Sequence, residues 1–272
     1  MRERAQTFQE PAVERPGQGR ARSILAMPDP MHFDRLADVY DRARPPYPDA
    51  LWRRLGDLGL LVPGRRAVDL GAGSGQATRV LVEAGLDVVA VEPGPALAAR
   101  LRRAVPAAGV IEATAEAAPL VAASFDLATA ATAVHWFDLG VVLPRLHRAL
   151  VPGGRLAVWR NVFGDMEAPQ TPFRERVAQI VAQRDAPPRP GPGESETATW
   201  TGALSVGGWF AASHVEEFRW RITLDAEDVR GLFTTFSDWT PEEASQAAAA
   251  VRDLGGAVTE HYVTPLIVLD RT

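Results

Sequence analysis

Asp69, three alternating glycines at 71, 73 and 75, and Glu92 are the residues of this 272-residue chain whose types and spacing point most directly to chemistry. In the run Ala67-Val68-Asp69-Leu70-Gly71-Ala72-Gly73-Ser74-Gly75-Gln76, an apolar strand ends in an acid and then breaks into a glycine turn. Glycine permits a sharp turn at a strand end and lets a ligand approach the backbone. The helix expected from Gln76 then aims its unpaired N–H groups at that ligand. Seventeen residues after Gly75, the strand Asp87–Val91 runs into Glu92. A carboxylate at that second strand end is suited to accept from both hydroxyls of an adenosine ribose. The pair predicts an adenosine-containing small molecule as ligand. A glycine-rich strand–helix turn that binds nothing is the plainer alternative.

Other glycine motifs fail on particular residues. A dinucleotide fingerprint needs glycine at 76, where the chain has Gln76. A phosphate-binding P-loop needs a lysine, and the sequence contains none. A serine nucleophile elbow needs glycines where Ala72 and Gln76 stand. Without cysteine there are no disulfides, thiolate metal sites or cysteine nucleophiles, and the five histidines form no metal-ligand spacing. A net charge of −5 argues against a nucleic-acid partner, and no apolar run reaches the ~20 residues of a membrane span. With 46% hydrophobic and 23% charged residues, the composition is that of an ordinary globular protein, expected in the cytoplasm as monomer or homodimer.

The motif Asp-Leu-Gly-Ala-Gly-Ser-Gly followed by Val91-Glu92-Pro93 resembles motif I and its acidic partner in class I S-adenosylmethionine-dependent methyltransferases. A second pattern is Phe33-x-x-Leu36-Ala37-x-x-Tyr40-x-x-x-Arg44-Pro45-x-Tyr47-Pro48. It is similar to the leading segment of a small-molecule subfamily that includes trans-aconitate methyltransferase. The resemblance implies S-adenosyl-L-methionine as cofactor and a small-molecule methyl acceptor. It also implies cofactor contacts from Tyr40 and Arg44 over the methionine end, Asp69 near its amino group, and Gly71, Ala72 and Gly73 in the turn. Glu92 and Pro93 would flank the ribose, and Ala115 and Glu116 would border adenine, with Ala131 at the end of strand 4. Each has a structural alternative: Tyr40 as packing, Arg44 as a solvated charge, Glu116 as a surface acid in an alanine-rich loop.

His135 is the expected catalytic residue. It follows strand 4 in Ala131-Thr132-Ala133-Val134-His135-Trp136, where ligands of open α/β sheets bind. It would act as general base or orient the substrate; alternatively it caps the next helix, and an acidic acceptor needs no base. The late aromatics are mostly core, with at most two expected in a substrate pocket, from the stretch Phe233 to Trp239.

The elements that must position these residues alternate strand, turn and helix. Strands are expected at Arg66–Leu70, Val88–Val91, Gly109–Ala113, Phe125–Ala131 and Arg155–Trp159, with helices between them. Then come a helix from Pro172, a strand from Val215 to Leu224, helices from Asp228 and Pro241, and a last strand from His261 to Leu269. This rhythm predicts an α/β fold with a parallel sheet covered on both faces. The resemblance makes it a doubly wound, Rossmann-like, seven-stranded methyltransferase sheet, its last strand inserted antiparallel. Residues 1–28 are polar, aperiodic and read as a disordered leader, with Met27 or Met31 as alternative starts. The methyltransferase domain is expected over 29–272. It divides into an N-terminal helical cap (29–60), a cofactor-binding core (61–160), and substrate-side insertions with closing strands (161–272). Two further readings stay open: an S-adenosylmethionine-binding protein without methyl transfer, and a protein or peptide methyltransferase.

Overall fold

The computed structural model describes residues 34, 43–184, 197–236 and 238–272. Its eight-stranded sheet comprises β1 (Arg66–Leu70), β2 (Asp87–Val91), β3 (Gly109–Ile111), β4 (Phe125–Ala131), β5 (Leu150–Trp159), β6 (Val162–Phe163), β7 (Phe210–Asp225) and β8 (Ala257–Arg271). The order is β3-β2-β1-β4-β5-β8, with β7 on the far side of β8 and β6 extending the β5 edge. β1 to β5 pair in parallel, whereas β8 runs antiparallel to both β5 and β7. The seven expected strands are present, and the two-residue β6 is an addition.

Alternate residues of the central strands enter two cores, as a sheet covered on both faces requires. Val68, Ala128, Leu156 and Ile267 pack on one side with α4 (Leu139–Ala149), through Val142, Leu143 and Leu146. Ala67, Leu127, Ala157 and Val268 pack on the other with α1 (Asp49–Asp57) and α2 (Gln76–Glu83). The α1 part of the expected N-terminal cap is therefore a layer of the sheet: Leu51 and Leu55 are its buried face. The leader and most of the remaining cap, Tyr40 included, lie outside the described residues. α3 (Pro95–Ala104) buries Leu101 and Val105 against Ala90.

Beyond β5 a third core gathers α5 (Pro172–Ala182), α7 (Ala226–Thr234) and α8 (Pro241–Asp253) around one end of the antiparallel β7–β8 pair. α7 and α8 start in capping boxes at Asp225 and Thr240, each satisfying otherwise unpaired N–H groups. α6 (Thr197–Leu204) packs Leu204 beneath the sheet.

β5 and β7 are longer than expected. β5 runs through Pro152-Gly153-Gly154, where a register irregularity and the positive φ of Gly153 absorb the turn signal. β7 begins at Phe210 because Phe210-Ala211-Ala212 pairs with Arg271-Asp270-Leu269. Among the described residues, no helix is long and apolar enough to cross a membrane, and no cluster of acids or histidines could hold a metal.

Candidate active site

The glycine turn folds back onto β2: the N–H groups of Gly71 and Ala72 both donate to the Val91 carbonyl, at 2.9 and 3.1 Å. Its three glycines all have positive φ but answer to different constraints. A Cβ on Gly71 would stand 2.5 Å from Ala133 Cβ, and one on Gly75 would run into Leu101. At Gly73 no atom of the described residues lies within 4 Å of that position. Packing thus demands glycine at both ends of the turn. The middle glycine is set by its backbone angle, φ +58, and not by packing against the described residues.

Glu92, 6% exposed, ties this turn to the next one. One carboxylate oxygen accepts from Gly73 N at 2.8 Å and the other from Gly94 N at 2.9 Å. Burial raises its pKa, the two backbone donors partly offset this, and the charges of Asp34 and Asp69 push upward again. Asp34 supplies the N-terminal donors of α3 with an acceptor, taking bonds from Ala96 N at 2.7 Å and Leu97 N at 3.0 Å. Pro93 is exposed beside Glu92.

Asp69 is fully buried at the end of β1. Thr78 Oγ1 donates to one oxygen at 2.6 Å and Thr129 Oγ1 to the other at 2.8 Å. Burial lifts its pKa to about 6 despite both hydroxyls, so it is ionised at neutral pH. Thr129 is its register partner on β4, and Thr78 lies on α2, so sheet and helix meet at this acid.

Glu116 accepts a 2.9 Å bond from Asp138 N, whose own side chain caps α4 at Gly140 N. Ala115 is buried under it, and Ala131 ends β4 opposite Trp159. Arg44 lies further across: its Nη2 donates to the Thr235 carbonyl at 3.1 Å, and its guanidinium rests 5.1 Å from the Phe236 ring centre.

His135 lies in a single 3-10 turn, Val134–Trp136, just past β4, its ring 5.0 Å from that of Trp136. Among the described residues, its Nδ1 is buried without a hydrogen-bond partner. Burial and the nearby charges of Arg160 and Arg44 lower its pKa to about 4, leaving a neutral imidazole at physiological pH. His135 borders a chamber that also includes Thr132, Val134, Val158, Trp159, Arg160, Thr197, Trp200, Pro265 and Ile267. The chamber aromatics are Trp159 and Trp200 rather than residues from Phe233 to Trp239. Phe233 is fully buried in the third core, with Trp239 edge-on to it.

Several of these residues carry no local sequence signal. Thr132 adopts φ +57, a conformation non-glycine residues rarely take, and Tyr47 Oη bonds its hydroxyl at 2.9 Å. The Pro45 carbonyl accepts from Gln76 Nε2 at 3.3 Å and from Asn161 Nδ2 at 3.1 Å, which also reaches the Pro46 carbonyl. Arg160 follows β5 and stands 5.9 Å from the ring of Trp200. A polar residue directly after each parallel strand was the only available pointer to Thr132 and Arg160.

Residues 68–158 match the family model described as a methyltransferase domain. An uncharacterized methyltransferase of Mycobacterium tuberculosis is 44% identical over 133 residues, covering 48% of this chain and 53% of that protein. A malonyl-[acyl-carrier protein] O-methyltransferase of Enterobacter lignolyticus is 36% identical over 135 residues, covering 47% and 54%. The chain thus spans about half the length of the curated relatives it matches. Among solved structures, a candidate type II methyltransferase from Anaeromyxobacter dehalogenans superposes with a TM-score of 0.58 and 27% identity, covering 83% of this chain and 97% of that one. The sheet order and the glycine turn agree with these likenesses: the fold is a Rossmann-like methyltransferase fold, and residues 68–158 are similar to a methyltransferase domain.

Proposed function

We propose that the protein transfers a methyl group from S-adenosylmethionine to a small-molecule acceptor by direct in-line displacement. One observation carries this reading: the Glu92-tethered glycine turn and the His135 chamber occupy neighbouring strand ends of a single sheet. In the proposed complex, Gly71, Ala72 and Gly73 meet the methionine part, and Glu92 beside Pro93 uses its remaining lone pairs on the ribose. Ala115 and Glu116 border adenine, and Ala131 lies beneath the cofactor. Tyr40 and Arg44 close over its methionine end. Asp69 acts from below, its negative charge favouring the sulfonium over the neutral product. Most of the rate enhancement then comes from holding sulfur, methyl and nucleophile in line.

His135 is assigned to orienting the acceptor rather than to proton abstraction. A base whose conjugate acid has a pKa of about 4 has little drive to take a proton at neutral pH. The leading segment around Arg44-Pro45-x-Tyr47-Pro48 supports the narrower placement near trans-aconitate methyltransferase, and a cytoplasmic location belongs to the same reading.

The test is turnover with methyl-labelled S-adenosylmethionine and a pool of small metabolites. S-adenosylhomocysteine should form in step with a labelled small product. Binding of NAD in preference to either adenosyl ligand would overturn the reading. The likeness to a malonyl-[acyl-carrier protein] O-methyltransferase favours a second version, in which the acceptor is borne on a carrier protein. Label in the macromolecular fraction would select it.

A further inference from the structure

We propose that Asn161 is a positioning residue for methyl transfer: it holds the wall of the His135 chamber in register with the glycine turn, so that a ligand bound at the turn steadies the third core as well. This rests on the methyltransferase reading and adds to it a residue that acts through a chain of hydrogen bonds crossing the molecule.

The chain starts in the third core. Trp220 of β7 stacks on Tyr262 of β8, ring centres 4.9 Å apart, and its indole Nε1 donates to Thr264 Oγ1 at 2.8 Å. Thr264 is fully buried, and its Oγ1 donates in turn to Asn161 Oδ1 at 2.8 Å. From the other side of that amide, Asn161 Nδ2 donates to the carbonyls of Pro45 and Pro46 at 3.1 and 3.2 Å. The Pro45 carbonyl also accepts, at 3.3 Å, from Nε2 of Gln76, which follows Gly75 and opens α2.

Both ends of the chain fix its direction. An indole N–H can only donate, and a carbonyl can only accept. Thr264 therefore accepts from Trp220 and donates to Asn161. The Asn161 amide must then turn its oxygen to Thr264 and its NH₂ group to the two prolines. Aspartate has the same shape but, when ionised, offers those carbonyls no donor.

The members of the chain adjoin residues that face the proposed ligands. Arg160 and Pro265, which line the chamber, are the sequence neighbours of Asn161 and Thr264. Gln76 stands at the end of the glycine turn. Sliding the chamber wall against the turn must break one of these bonds, and a polar atom left unpaired inside the protein is costly. In-line displacement slows steeply when the reacting groups are misplaced by about 1 Å. Asn161 opposes that misplacement without touching the reacting atoms.

The experiment is amide hydrogen exchange of the full chain with and without saturating S-adenosylhomocysteine, which reads local opening segment by segment. It is followed in peptides covering the glycine turn and in β7 from Phe218 to Leu224. In the parent the ligand should slow exchange in both, and in β7 by about 5-fold, the scale of one neutral hydrogen bond. Asn161→Asp and Thr264→Val should each keep the protection at the turn and bring the β7 ratio near unity. Thr264→Ser, which retains the hydroxyl, should restore it. Each ratio is taken within one variant, so a loss of stability alone does not produce the pattern, and either variant decides if the other fails to fold. Absence of β7 protection in the parent, or its survival in Asn161→Asp or Thr264→Val, overturns the inference. Absence of protection at the parent's own turn strikes instead at the methyltransferase reading.

Discussion

At the ends of β1 and β2 the polar groups of the site are already bonded to protein. At the ends of β4 and β5 a buried imidazole nitrogen has no partner among the described residues, and the charges of Arg160 and Arg44 act on it. The first half is a rigid, acidic cradle formed before any ligand arrives, as recognition of one fixed cofactor requires. The second holds one buried imidazole nitrogen that no group among the described residues satisfies.

The sharpest way to break this comparison is at the turn. Gly71→Ala would push a Cβ to 2.5 Å from Ala133 at a φ of +64, and should cost about 2–4 kcal/mol of stability from overpacking plus backbone strain. Gly73→Ala meets no atom of the described residues within 4 Å and should cost only about 1 kcal/mol, the strain alone. Chemical denaturation of the two variants compares them directly. Equal losses would show that the turn is not divided between packing and ligand access.

Glu92→Ala should weaken S-adenosylhomocysteine binding by about 2–4 kcal/mol, through lost ribose bonds and a turn freed at Gly73 and Gly94. A titration differing less than about twofold from the parent would place ribose recognition elsewhere.

The two halves should also respond to acid with opposite sign. Asp69 is raised to about 6, so the folded state holds its proton more tightly than the unfolded chain does. Its contribution is present below the unfolded value and is lost as pH rises through 6. His135 is lowered to about 4, so its contribution is present above the unfolded value near 6.5 and is lost as pH falls toward 4. Melting temperatures from pH 4 to 7 should therefore fall less steeply with acid in His135→Asn, and more steeply in Asp69→Asn. Parallel profiles would mean that these two groups do not titrate as their surroundings dictate.

The smallest expected effect lies between the halves. Tyr47→Phe removes the hydroxyl that bonds Thr132 and should cost about 1 kcal/mol in thermal or denaturant unfolding.

The cradle was legible in the sequence because its signals are local. Strand, glycines and terminal acid follow one another within about two dozen residues, and each residue type has its own physical reason. The chamber was legible only at His135, where a strand end announced it. Arg160 and Trp200 meet across 40 positions, and Arg44 and Thr235 across 191, through packing that no local pattern encodes. The same limit applies to the sheet. The alternating Val215–Leu224 was readable as strand, whereas Phe210-Ala211-Ala212 becomes strand only through its partner, the end of β8. The Pro-Gly-Gly of β5 reads as a turn because its residue types report backbone angle and not the pairing on either side.

The Pro45–Pro46 segment has a mechanical consequence. Gln76 grips its carbonyl edge from just after the glycine turn, and Asn161 grips it from just after β5. Proline fixes φ in both residues, so the strap between those anchors bends and stretches little. Methyl transfer depends on the gap between sulfur and nucleophile to within a fraction of an ångström. For the proposed reaction, the strap acts as a spacer bar between the end of the glycine turn and the end of β5, the two strand ends between which the reacting atoms would meet.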